Sequence, residues 1–238
     1  MPDAGVALSL DRVSRWYGDG ETRIAALRDV TLVINPGDLV AVVGPSGSGK
    51  STLLQVFGML DRASEGTVSI DGKDVATLGD AALTRLRLDT IGFVFQRFHL
   101  LMGLTALENI ALPLEAAGKD VATRYARAQA LLARVGLADR AMSHPAQLSG
   151  GQRQRVAITR ALANDARLVL ADEPTGALHS DDKAGVIALL TLVHREGKTV
   201  VIVTHDDAIA AICDRRLEIR DGHVTEVPSR GPGTGRAA

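Results

Sequence analysis

The sequence predicts an α/β fold: a mostly parallel sheet, a small antiparallel β part at the N-terminus, and a helical segment inserted into the core. Three observations carry this. Short apolar runs at Asp38–Val43, Ile91–Phe95, Leu168–Ala171 and Thr199–Thr204 have the length of strands buried on both faces. Helix-period stretches alternate with them, the arrangement expected of a parallel sheet covered by helices. Between Gln96 and Asp165 the strands give way to helical periodicity alone.

Taken in order, alternation over Leu8–Val13 reads as a strand, followed by the turn-rich Tyr17-Gly-Asp-Gly20. Val30–Ile34 is a second strand, closed by Asn35-Pro36-Gly37, where proline pre-sets φ for a turn. Asp38–Val43 runs into a Gly-rich loop, and Ser51–Leu60 then has helical spacing. Gly66–Ile70 with Asp71-Gly72 reads as strand and tight turn, Asp80–Leu88 as helix, and Ile91–Phe95 as strand. The inserted helices are Leu104–Ala111, Asp120–Val135 and Gly150–Ala163. Strands return at Leu168–Ala171, Thr199–Thr204 and Arg216–Ile219, with helices near Lys183–His194 and Asp206–Ile212. These boundaries suggest one domain over residues 1–224, a helical subdomain over about 97–165, and a disordered Pro/Gly/Ser-rich tail over 225–238.

Composition narrows the function classes. The 238 residues are 46% hydrophobic, enough for a packed core, while aromatics contribute 3% and leave Val, Leu, Ile and Ala to build it. A formal net charge of −1 without a basic block argues against nucleic acid as a partner. A lone Cys213 forms no internal disulfide and no zinc cluster, which suits a reducing compartment. Met1–Gly5 has no secretory pattern, and no run reaches the roughly 18 apolar residues of a membrane helix. The expectation is a soluble protein for which docking on a membrane protein stays open.

Gly44-Pro45-Ser46-Gly47-Ser48-Gly49-Lys50-Ser51 fits the phosphate-binding pattern G-x-x-x-x-G-K-[ST], with Thr52 next in the helix. Its glycines let backbone N–H groups curl around phosphate without Cβ clashes, and the helix start adds its positive end. Lys50 is placed for the β- and γ-phosphates of ATP, and the Ser51 hydroxyl for Mg²⁺. Such a loop needs a carboxylate at the end of a buried strand. Asp172 is the metal candidate after Leu168–Ala171, and Glu173 is the candidate general base for the attacking water. Leu148-Ser149-Gly150-Gly151-Gln152 opens another helix, with Ser149 and Gln152 spaced as a capping box. Two glycines in a first turn weaken a helix, and they make sense where a phosphate approaches the backbone.

With these motifs the sequence resembles the nucleotide-binding subunit of ABC transporters over residues 8–224. The resemblance rests on the Gly44–Ser51 loop, Asp172-Glu173, Leu148–Gln152 followed by Arg153-Gln-Arg155, Gln96 after a strand, and Thr204-His205-Asp206. It implies a P-loop NTPase core, a role for Gln96 toward Mg²⁺ or the attacking water, His205 on the γ-phosphate, and Tyr17 stacked on adenine. It also implies a head-to-tail homodimer with each ATP between Gly44–Ser51 of one subunit and Ser149–Gln152 of the other. Membrane permease subunits on separate chains would then be driven from the cytoplasmic face. Ile91–Gln96, Thr105–Asn109, Leu112-Pro-Leu114 and Ala171–Gly176 look most like the lipoprotein-release and macrolide-export branch, with a cell-division ATPase as a near relative.

One departure stands out. After Glu173 the family loop ends in Leu-Asp, and here it is Leu178-His179, which suggests slowed or pH-sensitive hydrolysis. Thr159 replaces a usual alanine without evident consequence. The competing functions are an ATPase acting on DNA or ribosomes, disfavoured by the compact 96–148 stretch, and a division-site or envelope-remodelling scaffold of low turnover.

Overall fold

The computed structural model describes residues 5–228. In chain order it runs β1 (Leu8–Tyr17), β2 (Ile24–Ile34), β3 (Leu39–Val43), α1 (Lys50–Phe57), β4 (Glu65–Ile70), β5 (Lys73–Asp74), α2 (Asp80–Thr90) and β6 (Ile91–Phe95). The helices α3 (Ala106–Ala116), α4 (Val121–Arg134) and α5 (Gly150–Ala161) follow. The chain returns through β7 (Leu168–Asp172), α6 (Ser180–Arg195), β8 (Thr199–Val203), α7 (Asp207–Ile212), β9 (Arg215–Arg220) and β10 (His223–Val227).

Strand order in the six-stranded sheet is β10-β9-β3-β8-β7-β6, and β9 through β6 pair in parallel. The apolar runs are explained by two-sided burial. Val40, Val42, Leu168, Leu170, Val201 and Val203 face the core that includes α1. Their neighbours Leu39, Ala41, Val169, Ala171, Val200 and Ile202 face a second core with Val186, Leu190 and Ile209 of α6 and α7. The antiparallel sheet β2-β1-β4-β5 adds Leu8, Leu10, Ile34 and Ile70 to the first core. A third core, with Ile110, Leu114, Leu131, Leu132 and Val156, lies among α3, α4 and α5. The helix α5 also packs on β6, so closely that a Cβ at Gly92 would sit 2.3 Å from the Ala161 carbonyl oxygen.

Three readings need correction. Residues 225–227 are not tail: they complete β10, antiparallel to β9, and Arg215 clamps the hairpin with two hydrogen bonds to Glu226, each 2.8 Å. Residues 229–238 lie outside the described residues. The first strand extends to Tyr17 and the second begins at Ile24, through register shifts that carry Arg12 and Asp29 at positive φ. The helix α3 continues past Pro113 to Ala116, and the Pro113 carbonyl accepts from Asn164 Nδ2 at 2.8 Å.

Candidate functional site: a phosphate loop and its carboxylates

The loop follows β3 directly and is held open from behind. A Cβ at Gly44 would lie 2.2 Å from the Ile219 carbonyl oxygen of β9, and one at Gly49 would lie 2.2 Å from that of Ala26 in β2. Glycine is therefore demanded by the strands on which the loop rests. Pro45, Ser46 and Gly47 form the exposed tip, and Ser48 is buried with its hydroxyl unpartnered among the described residues. Lys50 Nζ donates to the carbonyls of Gly44 and Pro45 at 2.9 and 2.8 Å, which sets its ammonium inside the curl. Ser51 and Thr52 follow in the first turn of α1.

Across the loop, β7 delivers two acids. Ser51 Oγ lies 3.5 Å from Asp172 Oδ2. Burial pushes the Asp172 carboxyl above its ordinary value, and the neighbouring Glu173 adds to this; the Ser51 hydroxyl and the Lys50 charge oppose it. A carboxylate so placed gains from a cation, and a hydroxyl beside a carboxylate is a hard-oxygen donor pair suited to Mg²⁺. Glu173 takes a left-handed backbone, φ 46°, with its N–H donating to the Val203 carbonyl at 2.9 Å. That turn aims its carboxylate at His205, whose Nδ1 is 2.8 Å from Glu173 Oε1. The loop after Glu173 folds back so that a Cβ at Gly176 would meet Gln96 Nε2 at 2.7 Å. Contacts thus link Ser51 to Asp172, Glu173 to His205, and Gln96 to the Glu173 loop.

Two predicted groups stand apart from this cluster. Tyr17 donates its hydroxyl to Asp61 at 2.7 Å, and the Arg15 guanidinium lies 4.6 Å from its ring centroid. Ser149 and Gln152 close a capping box at the start of α5, Ser149 N–H donating to Gln152 Oε1 at 2.9 Å and Gln152 N–H to Ser149 Oγ at 3.2 Å. The glycines there have an intrachain reason that sequence reasoning missed. A Cβ at Gly150 would meet Leu178 Cδ2 at 3.3 Å, and one at Gly151 would meet Asp182 Oδ1 at 2.1 Å. Gly151 N–H donates to Asp182 Oδ2 at 3.1 Å. Farther along α5, Arg160 donates to the carbonyls of His99 and Phe98 at 2.6 and 3.0 Å, two consecutive residues at positive φ just after Gln96. Burial holds the Arg160 guanidinium below its ordinary value. No motif marks Asp182 or Arg160, whose partners lie far away in sequence.

The family model described as "ABC transporter" matches residues 27–176. The chain belongs to the ABC transporter family. A macrolide export ATP-binding/permease protein of Bradyrhizobium diazoefficiens is 52% identical over 217 residues, covering 91% of this chain and 33% of the relative. One from Salmonella paratyphi A is 50% identical over 221 residues, covering 93% and 34%. The chain spans about a third of the length of these curated relatives. A dimeric structure of the ATP-binding cassette MJ0796 in a post-hydrolysis state with ADP and Pi matches with a TM-score of 0.86 at 46% identity, covering 94% of this chain and 99% of that one. The chain therefore carries an ABC ATPase cassette, and the branch resemblance agrees with the macrolide-export relatives. Among the described residues no helix is long and apolar enough to cross a membrane.

Proposed function

We propose that this cassette hydrolyses ATP in a head-to-tail homodimer and thereby drives a membrane permease partner at the cytoplasmic face. The observation that carries this reading is the division of phosphate-binding elements within one chain. Ser51 of the loop Gly44–Thr52 meets Asp172, and the adjacent Glu173 meets His205, while the amide-rich turn Ser149–Gln152 opens a helix in a different core. Each subunit carries two half-sites, and a second copy completes both.

In this reading the backbone N–H groups of Gly44–Gly49 wrap the phosphates, and Lys50 exchanges its loop carbonyls for β- and γ-phosphate oxygens. Ser51, Asp172 and Gln96 would hold Mg²⁺, which would supply positive charge against the phosphates. Glu173 accepts a proton from the attacking water, and His205 orients Glu173 and donates toward the γ-phosphate. Tyr17 stacks on adenine with the ring face that Arg15 leaves free. Ser149–Gln152 of the partner supplies further donors to the γ-phosphate, so catalysis rests on positioning completed at closure. The cassette, expected over residues 1–224, takes in the rest of β10 to Val227, with α3–α5 as the subdomain that passes motion to the permease.

Glu173→Gln removes the base and leaves binding intact, so ATP should double the mass seen by light scattering. A persistent monomer at saturating ATP refutes the sandwich. Lys50→Ala should abolish nucleotide binding, read by loss of fluorescent-nucleotide anisotropy. Co-purification from membranes identifies the permease partner and settles whether it is a separate polypeptide.

A further inference from the structure

The carboxylate of Asp182 occupies a place that the Gly44–Thr52 machinery does not use. It reaches from the first turn of α6 to the first turn of α5, 3.1 Å from Gly151 N, and fills the space in front of Gly151 so fully that no Cβ fits. Gly151 is buried beneath it, and Asp182 itself is half-buried. The first-turn amides of α5 form the positive end of a helix, and a carboxylate there satisfies a donor and cancels part of that positive potential. The adjacent contact of Leu178 with Gly150 belongs to the same segment, so the chain that leaves Glu173 is seated on both glycines.

We propose that Asp182 is a positioning residue that acts through Ser149–Gln152: it fixes the turn in place and, as an intrachain counter-anion, weakens the turn's attraction for the phosphate of a partner's nucleotide. This rests on the reading that the turn faces that nucleotide. Two consequences separate it from a plain structural clamp. A clamp needs an acceptor at position 182, which asparagine supplies as well as aspartate. A counter-anion needs the charge, which asparagine lacks. The charge touches the turn at 3.1 Å and is half-buried, so added salt weakens its influence without abolishing it. Lys183 does not cancel it, because its ammonium is paired with Asp206 at 3.1 Å.

The test uses the full chain carrying Glu173→Gln and follows ATP-dependent dimerisation by light scattering. With Asp182→Asn the ATP concentration at half-maximal dimer should fall on the order of threefold to tenfold at low salt, and the gap from Asp182 should narrow at high salt. Asp182→Ala, which loses the acceptor as well, should give a smaller gain or a loss and a lower melting temperature. Equal midpoints for aspartate and asparagine, with alanine alone impaired, overturn the proposal and leave Asp182 a clamp. A chain that stays monomeric with Asp182 intact overturns the sandwich reading and the proposal with it.

Discussion

Alanine at Gly49 would separate two effects that the phosphate loop combines. Gly49 has φ 109°, a conformation that L side chains rarely adopt, and its added Cβ would stand 2.2 Å from the backbone oxygen of Ala26. The backbone strain costs about 1–3 kcal/mol, and alanine returns about 0.4–1 kcal/mol by narrowing the unfolded ensemble. The overlap has no rotamer to relieve it, because the obstructing atom is backbone in β2. Forcing loop or strand to move adds about 1–3 kcal/mol, as in other overpacked sites. The expected destabilisation is about 1–6 kcal/mol. Gly47 is the internal control, with φ 78° and nothing within 4 Å of an added Cβ, so only the strain of about 1–3 kcal/mol, less the same return, remains. Urea denaturation measures both variants, and fluorescent-nucleotide titration should show binding lost at Gly49→Ala and kept within about tenfold at Gly47→Ala. If Gly49→Ala is no less stable than Gly47→Ala and binds nucleotide as well, the strand-backed account of the loop is wrong.

Thr199→Val should destabilise the fold by about 2–4 kcal/mol in denaturant titrations, because buried backbone groups lose their partner. Thr199 Oγ1 accepts from Val6 N and Gly37 N at 2.9 and 3.0 Å and donates to the Val6 carbonyl at 2.9 Å. His179 stands at the N-cap of α6 without a side-chain cap bond, so His179→Asp should add about 0.5–1.5 kcal/mol of stability. The same variant should raise ATP turnover in a steady-state phosphate-release assay; equal rates refute a role for His179 in hydrolysis.

The strands of the main sheet were legible because two-sided burial makes them short and apolar, as in Leu168–Ala171 with every residue buried. The capping box at Ser149–Gln152 was legible because its partners are three residues apart. The strand β10 was not, since His223, Thr225 and Glu226 are exposed on an edge strand and carry no apolar run. The proline in α3 hid the last helical turn. There the fully buried Asn109 bonds the carbonyls of Leu101, Leu104 and Thr105, and this packing outweighs the N–H that Pro113 lacks. At the site, the loop and the carboxylate pair were legible from local pattern, whereas His205 and Gln96 entered only with the family resemblance. The left-handed turn at Glu173 that brings its carboxylate to His205 depends on the register of β7 against β8.

The contacts at the two ends of α5 make it a strut. Its 12 residues span about 18 Å, with Asp182 pinned at one end and the carbonyls of Phe98 and His99 gripped by Arg160 toward the other. A helix resists bending far more than loops resist displacement, so a tilt imposed at Gly151 is delivered to the backbone beside Gln96. Under the proposed head-to-tail pairing, this stiffness lets an event at Gly151 be read at Gln96 in the same chain.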